Sequence, residues 1–272
     1  MTIHPTAVIH PDAVLGEGVV VGAFSYIDRQ VQLGDRCVIS PHVTILPYTS
    51  LGMECQVHAG AVLGDLPQDM AYQEAESYVR IGNGCVIREG ATIHRGTLAG
   101  SVTEVGHNCL LMAYSHLAHN VKLGNQVIVA NNALLAGYVE VGDRAFISGN
   151  CLVHQFTRIG RLAMMAGGTA VQKDVPPFCI TRSLSTNTVL NLNVIGLRRA
   201  GFTAEQRLIL KRAFSLLYRS GLTVSQAVAA MEAEFAPDPL VMELCQFVKS
   251  SKRGICKSLG RSRYDSNDDD ND

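Results

Sequence analysis

The stretch "SHLAHN", residues 115–120, sets His116 and His119 three positions apart, and a third histidine, His154, stands in "VHQF". An imidazole titrates at about 6.5 when unperturbed, so an exposed one can take a proton as a general base near neutral pH. Clustered histidines can also bind zinc, although no acidic ligand accompanies these. A solvent-facing strand can equally carry histidines with no chemistry at all. Spacing alone does not choose, because residues three apart share a face on a helix and oppose each other on a strand. The elements that hold them must be fixed first.

Stepping by six from Ile3 gives Ile9, Leu15, Val21, Ile27 and Leu33, and the same frame runs to Met165 and Val171, with large aliphatics broken only at Asp69, Ala75 and Ala99. A period of six matches neither a continued helix nor a continued flat strand. It suits a chain that bends every six residues and closes a triangular coil after eighteen, with coils stacked about 4.8 Å apart as strands are in a sheet. The repeat predicts a parallel β-helix of about ten coils over residues 1–180, with capped ends. Glycine often follows the frame aliphatic, as in "LGEG", "LGDR" and "VGHN", which predicts a tight turn at that step.

Two segments leave the pattern and keep its phase: a polar loop, 65–79, and a short insert, 99–104. Loops carried on a rigid scaffold are common binding elements. Beyond "DVPPF" the period ends. "TAEQRLILKRAFSLLYRSG", with a Thr cap, reads as a helix, and two further helical stretches follow. A small α-helical domain is expected over 183–256, and the acidic end, 257–272, is expected to be disordered.

Composition limits the function classes. The chain has 272 residues and a formal net charge of −1, which argues against a general nucleic-acid binder. No apolar run approaches the ~18 residues of a membrane span. Patterned sequence begins at once, with no signal peptide. Of eight cysteines, Cys37, Cys55, Cys85, Cys109 and Cys151 fall four residues after a frame aliphatic, the slot of small inward side chains. They read as core fillers in a reducing, cytoplasmic compartment, not as disulfides or metal ligands.

With the coil in place, an eighteen-residue step puts His119, Gly137 and Gln155 in one column, and Ala118, Ala136 and His154 in the next. Tyr138 falls between Asn120 and Phe156. A base beside a glycine, whose backbone N–H no side chain obstructs, is an arrangement suited to acyl transfer through an oxyanion.

The frame, together with "GDLPQD", "IREGATIHRGT", "HLAHN", "NNALLAG", "VHQF", "KDVPPF" and "GLRRAGF", resembles the UDP-N-acetylglucosamine O-acyltransferases that open lipid A synthesis. The likeness runs from residue 1 to about 255, helical tail included. The resemblance implies a homotrimer of left-handed β-helices with sites in the clefts between chains. It implies transfer of a 3-hydroxyacyl chain from acyl carrier protein to the 3-hydroxyl of the UDP-sugar, with no metal and no cofactor beyond the carrier thioester. By matching motifs, His119 is the general base and the Gly137 amide stabilises the oxyanion. Gln68, Asp69, His116, His154 and Gln155 contact substrate. Arg199 meets the nucleotide phosphates, Asn193 lies near the acyl-donor arm, and Gly167 leaves a long acyl channel.

Three positions depart from the family pattern. Asn120 stands where Asp is common; it can orient the imidazole but brings no charge. Tyr138 stands where His is usual, and reshapes the acceptor pocket or replaces one hydrogen-bond donor by another. Ala71 removes a lysine from the loop. These leave open a 3-amino sugar or another UDP-sugar as acceptor, and a trimeric scaffold that binds carrier protein without turnover; a zinc hydratase is the remotest reading. Arg198, Arg199, Lys211 and Arg212 could attract an acidic carrier protein or be solvated surface.

Overall fold

The computed structural model describes residues 1–258. The predicted frame sets the strands directly: Ile3, Val21, Ile39 and Val57 each close a two-residue strand, and each such strand pairs in parallel with the strand one coil away. Register advances by eighteen, as in Leu117 with Leu135 and Leu135 with Val153. It advances by thirty across the long loop, Val57 with Ile87, and by twenty-four across the short insert, Ile93 with Leu117. Among the described residues the result is a three-sided prism whose faces are sheets of 12, 9 and 8 strands, parallel except for one pair at the end of the first, here called the first, second and third faces.

Side chains alternate in and out along each short strand. Inward aliphatics such as Ile27, Ile45, Leu63, Leu117 and Leu135 are completely buried, each contributing roughly 1.5–3 kcal/mol of transfer free energy. Outward positions differ between faces. The first carries Val20, Val38, Leu110, Ile128 and Phe146; the second carries Val8, Tyr26, Leu134 and Leu152. On the third, Glu104, Lys122, Glu140 and Arg158 pair in register with alternating sign.

The corners correct one expectation. Left-handed backbone falls three residues after the aliphatic, at Phe24, Asn120, Tyr138 and Phe156 among others, with φ of 58°, 60°, 59° and 63°. Save for Gly64 at the start of the long loop, with φ of 85°, the glycine that directly follows the aliphatic has no such φ. It is small because coils nearly touch there: a Cβ on Gly34 would lie 2.6 Å from the Gly52 carbonyl carbon, and one on Gly106 would lie 2.4 Å from the Gly124 oxygen. Bulky residues tolerate the left-handed corner because their N–H groups are tied to the neighbouring coil, Tyr138 to the His119 carbonyl at 3.0 Å and Phe156 to that of Gly137 at 3.0 Å.

The loop is shorter than its sequence outline. Strands Val62–Asp65 and Tyr78–Ile81 occupy its ends, and the second half of the short insert belongs to strand Val102–Val105. At the C-terminal end, Cys179–Thr181 and Thr188–Leu192 form an antiparallel pair that extends the first face. Four helices follow: α1, Val194–Arg199; α2, Ala204–Arg219; α3, Val224–Phe235; and α4, Pro239–Lys249. α1 and the strand pair carry no period that sequence inspection isolates. Thr203 and Thr223 cap α2 and α3 in reciprocal boxes with Gln206 and Gln226. The helices are fastened to the prism by Arg161, paired with Glu243 at 2.7 Å, and by Arg158, which donates to the Phe247 carbonyl and to Ser250. Lys257–Ser258, the first two residues of the expected acidic tail, form a strand beside Thr188–Val189; the rest of that tail lies outside the described residues.

All eight cysteines are free and buried. The sulfhydryls of Cys37, Cys55, Cys85 and Cys109 donate to carbonyls of the adjoining coil at 3.0 to 3.1 Å. Among the described residues no helix is long and apolar enough to cross a membrane.

Candidate active site

A cavity of about 510 Å³ opens on the second face, lined by Gln68, His116, His119, Gly137, His154 and Gln155 among others. Parallel pairing of Leu117, Leu135 and Val153 sets three consecutive corners one above another, which converts distant motifs into neighbours. His119 is only 8% exposed. Its ring lies against Gly137: a Cβ there would be 2.3 Å from Cε1 and 2.5 Å from Nε2. The Gly137 N–H, itself buried at the cavity, has no acceptor among the described residues. An imidazole and an unoccupied amide donor thus share one pocket.

His119 Nδ1 lies 3.1 Å from Asn120 Oδ1. The same oxygen accepts from the Thr97 N–H at 3.1 Å and the Thr97 hydroxyl at 3.0 Å. Tyr138 reaches Thr97 Oγ1 at 2.8 Å, packs nearly perpendicular to the His119 ring with centroids 5.3 Å apart and stacks on Phe156 with centroids 5.0 Å apart. Asn120 and Tyr138 therefore stand behind the His119 ring, lining a second cavity toward the third face.

His116 is half-buried, with Nδ1 2.7 Å from Thr92 Oγ1 and its ring edge-on to His94 at 5.2 Å. Burial first, then the neighbouring His94 and His119, push its pKa down to about 4. His116 is thus a neutral hydrogen-bonding group at physiological pH. A lowered pKa means that the unfolded chain binds the extra proton first. Stability is therefore fully present above the ordinary value near 6.5 and declines as pH falls toward 4. The His116→Gln protein is expected to show a flatter fall in melting temperature across that window, measured beside the parent chain; parallel curves would refute the assignment.

Other sequence-derived candidates lie elsewhere. Asp69 is exposed and caps the loop through the Ala71 N–H at 2.9 Å, outside the cavity lining. Gly167 also lies outside it; a Cβ there would meet only the Gly149 oxygen at 3.8 Å, and its carbonyl accepts from Ser183 and Leu184. Asn193 is buried and committed to structure: its amide donates to the Leu162 carbonyl at 2.9 Å and its oxygen caps α1 through Gly196. Asn193 and Arg199 line a cavity of about 1050 Å³ on the first face, with Arg144, Arg198 and Arg207. In one chain, then, the histidines and the arginines occupy different faces. Sequence reading assigned no role to Thr97 or His94, although both stand in "TIHRGT"; counting one coil back across the insert as twenty-four residues, not eighteen, would have put Thr92 level with His116 and His94 two residues further on, within ring contact of it.

A model of domain 2 of UDP N-acetylglucosamine O-acyltransferase matches residues 174–256, and hexapeptide-repeat models match 13–46 and 103–137. An acyl-[acyl-carrier-protein]–UDP-N-acetylglucosamine O-acyltransferase of Thermodesulfovibrio yellowstonii is 41% identical over 256 residues, covering 94% of this chain and 99% of that one. The chain belongs to the UDP-N-acetylglucosamine O-acyltransferase family. A second such relative, from Saccharophagus degradans, is 40% identical over 94% of the chain and 99% of its own length. The crystal structure of a UDP-N-acetylglucosamine acyltransferase from Bacteroides fragilis superposes with a TM-score of 0.89 at 40% identity, over 93% of this chain and 98% of that one. The Arabidopsis enzyme gives 0.83 at 33% identity, over 94% and 100%. As in the family, the prism is a left-handed parallel β-helix.

Proposed function

We propose that this chain transfers a 3-hydroxyacyl group from acyl carrier protein to the 3-hydroxyl of UDP-N-acetylglucosamine, the opening step of lipid A synthesis. The observation that carries the reading is His119 resting on Gly137, a residue that lines the same cavity and whose N–H has no acceptor among the described residues. His119 takes the proton from the sugar hydroxyl as its oxygen attacks the thioester carbonyl. The Gly137 N–H receives the charge that develops on the carbonyl oxygen. Collapse of the tetrahedral intermediate breaks the C–S bond, and the imidazolium returns its proton to the departing thiolate. His116, His154, Gln155 and Gln68 border the acceptor; neutral His116 holds it by hydrogen bonding. No cofactor beyond the carrier thioester enters these steps.

The arginine-rich cavity on the first face suits the anionic parts of the substrates, both nucleotide phosphates and an acidic carrier protein. It meets the histidines only if the first face of one copy lies against the second face of another. The outward aliphatics on those two faces, and the charges on the third, favour that heterologous contact, which closes as a homotrimer. Asp69, Gly167 and Asn193 act through the loop, the far end of the groove and the seat of α1. With its buried free cysteines the chain fits a reducing, cytoplasmic setting.

Mass-resolved transfer from 3-hydroxymyristoyl carrier protein to UDP-N-acetylglucosamine, run beside the 3-amino analogue and at several chain lengths, tests the reading. O-acylated product from a particle of three chain masses is expected. Product only on the amine would reassign the acceptor, and none on either would leave a scaffold.

A further inference from the structure

We infer that Thr97 and Tyr138 are positioning residues that hold the Asn120 amide in the one orientation that lets His119 act as a base, a role that rests on the reading of His119 given above. The Thr97 N–H can only donate, so the Asn120 atom 3.1 Å from it is the oxygen. The Thr97 hydroxyl donates to that oxygen at 3.0 Å, which leaves its own oxygen to accept, and Tyr138, 2.8 Å away, is the donor. His119 Nδ1 faces the same Asn120 oxygen at 3.1 Å and therefore carries a proton. Nε2 is left with its lone pair, the state a base requires.

The reversed amide would present its NH₂ group to the Thr97 N–H, two donors face to face. It would also present NH₂ to Nδ1, moving the ring proton to Nε2 and disabling the base. A carboxylate at position 120 offers an acceptor whichever way it turns and has no wrong orientation. The need for a lock thus arises from the amide. Two further features hold it: Asn120 is only 7% exposed with its N–H bonded to Thr103 Oγ1 at 2.7 Å, and the Tyr138 ring is clamped by Phe156 at 5.0 Å. The residues at 120 and 138 therefore belong to one hydrogen-bond chain, Tyr138 to Thr97 to Asn120 to His119.

Two measurements on the full chain test this. In the substrate-free protein labelled with ¹⁵N-histidine, NMR shifts of neutral His119 are expected to show protonated Nδ1 and bare Nε2. Thr97→Val and Tyr138→Phe, either of which suffices if the other misfolds, are expected to mix the tautomers, while the Thr97 N–H retains part of the preference. In the transfer assay each is expected to lower kcat by about tenfold with little change in KM. In an Asn120→Asp background the same substitutions are expected to change kcat less than about twofold. Equal losses in both backgrounds, or unchanged tautomers in both variants, would overturn the inference. Tautomer changes in a chain that transfers nothing would instead leave the lock standing and remove the proposed reaction.

Discussion

The His119→Ala protein is expected to keep its fold and lose about a thousandfold in kcat, within the ~10²–10⁴ range that general bases contribute. The change removes the proton acceptor and leaves the rest of the cavity in place, since the side chain lies outside the aliphatic core, at a corner whose backbone is held by the next coil. KM for the UDP-sugar should move little, because Gln68, His154 and Gln155 still border the acceptor. Circular dichroism melting beside single-turnover transfer separates the outcomes. Residual activity within tenfold of the parent would transfer the base role away from His119, and His154 in the same cavity would be the next to test.

Gly137→Ala is expected to be nearly as severe, at about a hundredfold in kcat, for a different reason. The backbone at 137 is not in the left-handed region, so alanine fits the chain itself. Its Cβ does not fit the imidazole, which would sit 2.3 Å away at Cε1, and neither the ring nor the corner can stay where it is. A displacement of about 1 Å between reacting groups costs on the order of 10² in rate. Gly167→Ala serves as the contrast, since its Cβ reaches only the Gly149 oxygen at 3.8 Å; it is expected to leave transfer of short acyl chains unchanged. Equal rates for Gly137→Ala and the parent would show that the contact with the ring has no part in the chemistry.

The aliphatic frame made the strands and the stacking of His119 on Gly137 legible, because inward burial at every sixth residue fixes register with little freedom. The corners were misread through glycine. A left-handed residue and a close approach between coils both favour glycine, and only coordinates show that the first is filled by Asn, Tyr or Phe as readily as by glycine, while at positions such as Gly34 and Gly106 the second leaves no room for a Cβ. Thr97 escaped notice because the inserted residues after it break the eighteen-residue count. Asn193 and Arg199 were matched by motif, yet their place on another face followed from the strand pair and α1, which have no period. Motif order along the chain gives membership of a site; it does not give the face.

Both interruptions in the repeat return to phase: thirty and twenty-four residues replace eighteen, and every later aliphatic of the six-residue frame still points inward. Length in this molecule is thus quantised. A whole added hexad moves later residues round one face and keeps the core, whereas a single added residue within a strand would turn every later inward side chain outward until a loop absorbed it. Such a chain changes its length in steps, and gains or sheds six residues more readily than one.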